Sequence, residues 1–376
     1  MSIHDDLGVR RLVNADAMKT ALGGTLMSPP VIDAMCQAAG AYVDMFELQR
    51  AVSGRVAALT RNEAAFVCTG ASAGLVLSSL ACMTGADLGL IGRLMERGPD
   101  VLLKREFVVQ CGQRNPYDPV LSLTGARLVQ IGNILQTFPW ELEAAITDQT
   151  AGVLYFAGKH LGFGSMGLDE VVAIAHRAGV PVIVDAAAQL PPRENLWRLT
   201  ERGADLVLFS GGKELRGPQS SGLIVGRRDL IEACEMHASP HQRLGRAMKV
   251  GKEEMLGLLA AVTWYLERDE AAESERCERV VADWVSSLSS IPGVTAERAF
   301  PGTDGRPLPR AIVSFDERLQ LSGAGARDAM LAGEPAIAVA IAGPSAIYLN
   351  PELLRPGEEG MVLDRVIAVT HEIARG

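Results

Sequence analysis

The stretch DLVLFSGGKELRGPQSSGLIVG, residues 205–226, predicts the fold class and the position of a functional group within it. Its first part, 205–210, is an apolar, β-rich run of strand length that is closed by two glycines. Residues 217–222 then turn the chain into a second apolar strand at 223–226. Buried strands of this kind are typical of open α/β sheets, in which ligands bind at the carboxyl ends of the strands.

Lys213 directly follows those two glycines, so the sequence places it at the carboxyl end of the strand. A lysine in this position can form a Schiff base, provided its surroundings keep the amine partly neutral. The alternative is a solvated loop lysine, because lysines are mostly exposed. Other residues of the same rim decide between the two interpretations.

An anion-binding loop is the second predicted feature. The apolar strand 64–68 is followed at once by the small-residue loop TGASAG, residues 69–74, and by a helical stretch at 75–83. The N–H groups of such a loop and of the helix N-terminus favour a bound anion. A tight strand–helix turn without a ligand is the alternative.

Asp185 is the third feature, at the end of the apolar strand PVIVD and one strand–helix–strand step before Lys213. A carboxylate there costs free energy unless a cation or a strong donor pairs with it, although a helix cap would also explain an aspartate. Pyridoxal phosphate needs a phosphate cradle, an acidic partner for its pyridinium nitrogen and a Schiff-base lysine. The loop 69–74, Asp185 and Lys213 supply all three on one rim, and together they predict a pyridoxal 5'-phosphate site.

Motifs spread over nearly the whole chain resemble one enzyme group. They are TALGGTLMSPPVIDAM (20–35), TGASAG (69–74), QRNPYD (113–118), GVPVIVDAAAQLPP (179–192) and SGGKELRGPQ (210–219). The chain resembles the pyridoxal-phosphate enzymes of aspartate-aminotransferase fold. Within them it is most similar to the selenocysteine-synthase-like (L-seryl-tRNA selenium transferase-like) group, which includes D-glucosaminate-6-phosphate ammonia-lyases.

This resemblance implies roles for particular residues. Lys213 would be the Schiff-base lysine and Asp185 the partner of the pyridinium nitrogen, and these two are the expected catalytic residues. The other implied cofactor contacts lie on the same rim: Ala187 at the ring, and Thr69, Gly70, Ala71, Ser72 and Ser210 at the phosphate.

Three positions depart from the pattern of the group. Gln113 stands where related sequences often carry a histidine that stacks on the ring; a glutamine can lie on a ring face but cannot shuttle protons, and we include it among the cofactor contacts. Gln189 lies four residues after Asp185, whereas the class V relatives have their ring-hydroxyl glutamine at three. The stretch AIAVAIA, residues 336–342, holds no arginine for a substrate carboxylate, so that contact must come from elsewhere or be absent.

Arg114, His160 and Arg216 are the candidate substrate-binding residues. Guanidinium groups match carboxylate and phosphate geometry, which favours Arg114 and Arg216 for an anionic substrate group. His160, in AGKHLGFG, is a candidate acid–base near the rim, and an ordinary loop histidine is the alternative.

Two further patterns point to other chemistry. GFGSMG, residues 162–167, fits the dinucleotide fingerprint GxGxxG. A first strand–helix unit normally carries that motif, whereas several strands precede it here, so a nicotinamide-dependent oxidoreductase is the weaker alternative. His237 and His241 have i, i+4 spacing, but Pro240 breaks a helix between them, so no metal site is predicted.

The order of predicted elements indicates the α/β class. Strands alternate with helices over roughly 160 residues, which predicts a mostly parallel sheet covered on both faces. We expect an N-terminal segment at 1–30, a large pyridoxal-phosphate-binding domain at 31–248 and a smaller α+β C-terminal domain at 249–376. With the resemblance, this arrangement is the type I fold of pyridoxal-phosphate-dependent transferases. Within it we expect a helix at 29–46 and a strand at 336–341.

Composition bounds the partners and the location. The 376 residues carry a net charge of −9, so no phosphate-backbone footprint is present, and we expect no nucleic-acid partner. The six cysteines have no CxxC spacing, which favours a reducing, cytoplasmic setting. No run reaches the ~18 apolar residues of a spanning helix, so no membrane association is expected.

The expected function is that of a pyridoxal-phosphate-dependent lyase or transferase acting on a small amino acid or amino-sugar acid. We favour α,β-elimination of the ammonia-lyase or dehydratase type, with aldolase, racemase or transferase chemistry as alternatives and a non-catalytic paralogue as a further one. The resemblance also implies a homodimer or a higher homo-oligomer.

Overall fold

The protein is described by a computed structural model that covers residues 3–373. These residues form two compact units. The large unit is Thr25–Arg268, and the small unit combines 3–24 with 269–373. Residues 1, 2 and 374–376 of the first and last predicted segments lie outside the described residues.

The strands carry labels in chain order. They are β1 (Leu12–Asn14), β2 (Ala64–Cys68), β3 (Glu106–Gln110), β4 (Arg127–Ile131), β5 (Thr150–Phe156), β6 (Val182–Asp185), β7 (Leu206–Ser210), β8 (Gly222–Gly226), β9 (Val294–Ala299), β10 (Arg310–Phe315), β11 (Ala336–Ala338), β12 (Ala340–Gly343) and β13 (Ala346–Leu349).

The α-helices are labelled in the same way. They are α1 (Ile3–Asp6), α2 (Pro29–Ala39), α3 (Met45–Leu59), α4 (Ala71–Thr84), α5 (Leu88–Arg97), α6 (Pro139–Ala145), α7 (Leu168–Arg177), α8 (Asn195–Glu201), α9 (Arg228–His237), α10 (Lys252–Glu267), α11 (Glu270–Leu288), α12 (Gly323–Ala332) and α13 (Glu358–Ile373).

A seven-stranded sheet of order β2-β8-β7-β6-β5-β3-β4 forms the centre of the large unit. Strands β3 to β7 pair in parallel, and β8 runs antiparallel to both of its neighbours, β7 and β2. The predicted class is therefore confirmed. Six of the seven strands point the same way, so their carboxyl ends share one rim.

Both faces of this sheet are buried, as its unbroken apolar runs predict. Val67, Val153 and Val207 face one hydrophobic core, whereas Phe66 and Leu208 face a second core on the opposite side. Alternate residues of each strand point to opposite faces, so one apolar strand contributes to both cores. The two cores fix the strands, and therefore the rim, between layers of helices.

The small unit has two sheets of its own. Strand β1 pairs in parallel with β11, with Leu12 opposite Ala336. Strands β12, β13, β10 and β9 form an antiparallel sheet in that order, and Trp284 of α11 is buried in the core beside it. The N-terminal and C-terminal parts of the chain thus build one α+β unit.

The structure differs from the sequence-based expectation in two elements. The helix expected at 29–46 is interrupted at 40–44, where Gly40 ends α2 and the Asp44 carboxylate accepts the N–H groups of Phe46 and Glu47 to begin α3. The strand expected at 336–341 is two strands, because β11 pairs with β1 whereas β12 pairs with β13.

The compact units also divide the chain at other points than the expected segments. The unit boundaries fall after residues 24 and 268, whereas the sequence suggested 30 and 248. Helix α10 accounts for the second difference, since it packs on α2 and α3 of the large unit.

Among the described residues, no single helix is both long and apolar enough to cross a membrane; α4 and α5 satisfy that requirement only as a pair, bent by 112° at the break between them.

Candidate functional site

The predicted site residues lie at or just beyond the carboxyl ends of neighbouring strands. Asp185 is the last residue of β6 and Ser210 the last of β7, and the two strands are paired. Thr69 follows β2, and Lys213 follows β7 by three residues. The sheet order therefore brings the three features of the sequence to one rim.

Asp185 is held in a polar corner of this rim. Its Oδ1 accepts the N–H of Ala187 at 2.9 Å, and its backbone oxygen accepts the N–H of Ala157 at 2.9 Å. Burial raises the pKa of the Asp185 carboxyl, while the Ala187 N–H and the charge of Lys213 act against that rise. A half-buried carboxylate whose charge interacts with that of a lysine is suited to a cationic partner.

The turn that carries Lys213 is fixed through its backbone. The Lys213 carbonyl accepts the Arg216 N–H at 2.8 Å and the Thr25 hydroxyl at 2.8 Å. Gly217 donates its N–H to the carbonyl of Gly211 at 2.8 Å. The lysine side chain is half-buried, so a rigid turn presents it at the rim.

The loop 69–72 ends at the N-terminus of α4. Gly70 has φ +96°, a conformation that favours glycine, and it is the N-cap of the helix. A Cβ on Gly222 would lie 2.5 Å from the Gly70 carbonyl carbon, so glycine at the start of β8 lets the loop sit directly against that strand. Ala71 is half-buried and Ser72 exposed, which leaves the first N–H groups of α4 at the rim as anion donors.

Ala187 and Ser210 lie between these features. The Ser210 N–H donates to the Ala187 carbonyl at 3.4 Å, and both residues are half-buried. They connect the Asp185 corner to the Lys213 turn. The Thr69 hydroxyl is used locally, as it donates to the Ser220 carbonyl at 3.1 Å.

Gln113 is fully buried and is engaged by the sheet. Its Oε1 accepts the Phe156 N–H at 3.1 Å, and its backbone carbonyl accepts the Asn115 side-chain amide at 2.9 Å. The glutamine thereby completes the end of β5. Its assignment as a ring contact stays a prediction.

Arg114 is already bound by a carboxylate. Its guanidinium meets buried Asp118 through Nε at 2.6 Å and Nη2 at 3.2 Å, and Nη1 donates to Gln130 at 3.0 Å. Hydrogen bonding to Asp118 raises the pKa of Arg114, which is opposed by partial burial. A substrate anion would have to compete with this pair.

Arg216 lies three residues after Lys213, in the same turn. It is one of three non-glycine residues with positive φ in the described chain, at +52°, and its guanidinium lies 5.7 Å from the ring centre of Trp264. Such a backbone conformation is rare for a side chain of this size and points to a functional constraint.

His160 is exposed and lies beside Gly158, just past β5. The position of a Cβ on Gly158 would be 2.9 Å from His160 Cε1 and 3.3 Å from Gln189 Nε2. Ala157, the residue before Gly158, donates its N–H to the backbone oxygen of Asp185. His160 and Gln189 therefore both lie on the Asp185 side of the rim.

The glycines of the GxGxxG motif at 162–167 serve the packing of loops. The helix of the motif, α7, starts only at Leu168, and the last strand ends six residues before Gly162. A Cβ on Gly164 would lie 2.7 Å from the Leu135 backbone, and the Thr137 N–H donates to the Gly164 carbonyl. The glycines permit close loop packing. Across residues 3–373 no group of three or more His, Cys, Asp or Glu side chains could hold a metal ion.

The sequence did not point to three residues around Lys213. Thr25 and Arg268 contact the lysine turn from distant parts of the chain, and Glu214 lies in the turn and binds Arg268. The one signal in the sequence is an acidic residue directly after the lysine, because a glutamate that is buried there needs a cationic partner.

The rim fits pyridoxal 5'-phosphate on structural grounds. The loop at Gly70 offers donors for a phosphate in a space that a side chain at Gly222 would disturb. Asp185 could bind a protonated ring nitrogen, and Lys213 could bind the aldehyde carbon.

Comparison with known proteins places these residues in context. A family model described as SelA, L-seryl-tRNA selenium transferase, matches residues 13–290. A 5'-C-glycyluridine monooxygenase-decarboxylase of Streptomyces sp is 36% identical over 94% of this chain and 86% of its own length. A D-glucosaminate-6-phosphate ammonia lyase of Salmonella typhimurium is 31% identical over 79% of this chain and 78% of its own.

Solved structures agree with these matches. The structure of a D-glucosaminate-6-phosphate ammonia-lyase superposes with a TM-score of 0.86 at 29% identity and covers 100% of this chain and 99% of its own. A NifS-like protein superposes with a TM-score of 0.60 at 16% identity, over 96% and 100% of the two chains, which shows a shared fold.

Proposed function

Because the chain belongs to the L-seryl-tRNA selenium transferase family, whose members include lyases and transferases, we propose a reaction for it. The enzyme catalyses an α,β-elimination on a small amino acid or amino-sugar acid with pyridoxal 5'-phosphate. The observation that carries this function is the juxtaposition of Asp185, the last residue of β6, with Lys213, which lies three residues beyond the paired strand β7. The N-terminus of α4 opens on the same rim. The ammonia lyase among the relatives supports elimination as the reaction.

Each part of the rim would hold one part of the cofactor. The loop residues Gly70, Ala71 and Ser72 would bind the phosphate through backbone N–H groups, and Asp185 would bind the ring nitrogen. When bound, the cofactor supplies an electron sink that stabilises negative charge at the substrate Cα.

The chain's own residues would move the proton. The Lys213 amine is placed to remove the proton from the substrate Cα as general base, after which the leaving group departs from Cβ. Asp185 would keep a proton on the ring nitrogen, because a carboxylate beside a cation stabilises the charged form. Gln113 cannot take over proton transfer, since its amide does not titrate near neutral pH.

The substrate is proposed to carry an anionic group. Arg216 is the favoured contact because it lies three residues after Lys213 in a constrained conformation. Arg114 is less favoured because Asp118 already engages its guanidinium.

A lysine substitution tests the cofactor assignment. Purified protein is expected to show an absorption band near the violet edge of the visible when loaded with pyridoxal phosphate, and borohydride should fix the cofactor to the peptide containing Lys213. Lys213→Ala should lose both. An unchanged band in Lys213→Ala after reduction, or no band in the wild type, would refute the assignment.

The reaction is tested by product analysis. A panel of D- and L-hydroxyamino acids and amino-sugar acids should give 2-oxo acid together with ammonia. Release of glycine and an aldehyde, or amino transfer to an added oxo acid, would contradict elimination. Binding of cofactor with no turnover of any amine would instead indicate a non-catalytic paralogue.

The relative with 36% identity favours a second candidate function. Its name describes a monooxygenase and decarboxylase that acts on a glycyl-substituted nucleoside. For this chain the corresponding reaction would consume oxygen and release carbon dioxide from a nucleoside-linked amino acid. An oxygen electrode and a carbon dioxide assay, run on the same panel extended with such compounds, separate the two reactions.

The proposal extends to assembly and location. Ile134, Leu135 and Phe163 are exposed by 71%, 72% and 68%, and Gly164 packs against Leu135. A homodimer would cover apolar side chains of this kind, and light scattering showing an active monomer would contradict it.

All six cysteines are free thiols, in keeping with a cytoplasmic enzyme. The acidic net charge of the chain favours a small-molecule substrate over nucleic acid.

A further inference from the structure

Two residues that contact the lysine turn stand at the ends of the large unit. That unit begins at Thr25 and ends at Arg268. The Thr25 hydroxyl donates to the carbonyl of Lys213 at 2.8 Å and to that of Gly212 at 3.2 Å. The Arg268 guanidinium meets the Glu214 carboxylate at 2.5 Å. Thr25 and Arg268, the first and last residues of the large unit, are therefore joined by hydrogen bonds and an ion pair to three consecutive residues, 212–214.

The Glu214–Arg268 pair is buried. Glu214 is 4% exposed as a residue, and the Arg268 side chain is 12% exposed. A buried carboxylate costs free energy unless a cation pairs with it, and losing one partner leaves an uncompensated charge. Glu214 and Arg268 therefore form a buried ion pair at the residue that follows Lys213.

Arg268 is itself held in place. It directly follows α10, and Arg193 donates to the backbone carbonyls of Leu266 and Arg268. The Arg268 guanidinium also lies 5.5 Å from the ring centre of Trp264, a residue of the last turn of α10. The pair consequently ties the lysine turn to the end of a packed helix.

We propose that Glu214 and Thr25 are positioning residues for Lys213: Glu214 binds and neutralises Arg268 at the exit of the large unit, and Thr25 binds the Lys213 peptide at its entry. Together they fix the place of the lysine amine and the ease with which it loses its proton. This rests on the proposed role of Lys213, but the amine can be followed without cofactor.

Charge substitutions test the role of Glu214. In cofactor-free protein, competitive labelling with an amine reagent and mass spectrometry gives the pKa of Lys213. Glu214→Gln removes a negative charge from the residue next to Lys213 and should lower that pKa by about one unit, because a nearby carboxylate favours the charged form of an amine. The double variant Glu214→Gln with Arg268→Met removes both charges and should return the pKa to the wild-type value.

A merely structural pair would behave differently, because removing both partners would not restore the lysine. Glu143→Gln is the matched control, since Glu143 forms an exposed pair with Arg177 in the same unit. An unchanged Lys213 pKa in Glu214→Gln, or a shift that persists in the double variant, would overturn the role of Glu214.

The hydroxyl of Thr25 gives an independent test that leaves every charge in place. Thr25→Val should speed amide hydrogen exchange of the peptide covering 211–217, and Thr25→Ser should restore wild-type protection. Thr263→Val is the control, because the Thr263 hydroxyl donates to a carbonyl within its own helix. Wild-type exchange in a folded Thr25→Val protein would overturn its role. Failure of Lys213→Ala to lose the cofactor would instead refute the proposed function, whatever these labelling results show.

Discussion

The side-chain oxygen of Gln113 accepts the backbone N–H of Phe156, 3.1 Å away and 43 residues later in the chain. Phe156 is the last residue of β5, at a point where β3 has already ended. The glutamine thus replaces a missing strand partner for a buried N–H group. The glutamine at this position therefore has a structural role in the sheet.

The first prediction concerns this bond. Gln113→Ala should lower the free energy of unfolding by about 1–3 kcal/mol, because it leaves a buried N–H group without an acceptor. Gln113→His should not recover the loss, because the shorter, planar imidazole does not place an acceptor where the amide oxygen stands. Denaturant unfolding of the cofactor-free protein measures both, with the exposed Gln149→Ala as control. Equal stability of Gln113→Ala and wild type would show that the bond contributes nothing.

The second prediction sets stability against cofactor binding at Asp185. Burial raises the pKa of this carboxyl, so the folded state binds its proton more readily than the unfolded state, and the ionised group costs stability as pH rises above its unfolded pKa. Asp185→Asn should therefore make the cofactor-free protein more stable at pH 7. It should weaken pyridoxal phosphate binding by roughly 10- to 100-fold, through loss of a charge-assisted bond.

Thermal unfolding without cofactor and spectroscopic titration with it give the two quantities. A variant that is less stable yet binds the cofactor normally would contradict both halves of this prediction.

The third prediction concerns the phosphate loop. Gly222→Ala places a Cβ 2.5 Å from the Gly70 carbonyl carbon, so the loop at the N-terminus of α4 must shift. We expect at least a tenfold loss of affinity for pyridoxal phosphate, since about 1.4 kcal/mol of disturbed phosphate contacts suffices for that factor. Gly54→Ala, at an exposed position of α3 with open space around the glycine, is the control. Unaltered affinity in Gly222→Ala would place the phosphate elsewhere.

The fourth prediction concerns acid stability. His237 is fully buried, its Nε2 lies 2.8 Å from the Thr84 hydroxyl, and burial lowers its pKa to about 4. In the unfolded chain this histidine binds a proton near pH 6.5, whereas in the folded chain it stays neutral until the pH is near 4. His237 therefore leaves the free energy of unfolding unchanged above pH 7 and lowers it as the pH drops from about 6.5 towards 4, by up to ~1.4 kcal/mol per pH unit.

His237→Gln should remove that part of the slope, although it can lower the overall stability. Unfolding free energies at several pH values between 4 and 7.5 measure the effect, and exposed His371→Gln should leave the slope unchanged. A slope in His237→Gln equal to that of wild type would assign acid sensitivity to other groups.

The rim could be predicted from the sequence because its signals are local. Asp185 and Lys213 each end or follow a short apolar run, and parallel strands bring such ends together whatever the lengths of the connections. The break between α2 and α3 also has local signals, Gly40 and Asp44, which the prediction of one helix at 29–46 did not use.

The contacts that hold the lysine turn could not be predicted in this way. Thr25 and Lys213 are separated by 188 residues, and Glu214 and Arg268 by 54. No pattern in either neighbourhood specifies the partner, because these pairs exist only once the sheet and α10 have packed. The split of 336–343 into β11 and β12 has the same origin, since it depends on which strand lies alongside each part.

The parallel pairing of β1 with β11 has a consequence for synthesis on the ribosome. Leu12 is translated roughly 320 residues before its partner Ala336, an interval of about 15 to 65 s at usual elongation rates. The large unit lies entirely between the two strands in sequence, so it can fold before the partner of β1 has been translated. Strand β1 is thus made before the large unit but enters its sheet only after that whole unit has been translated.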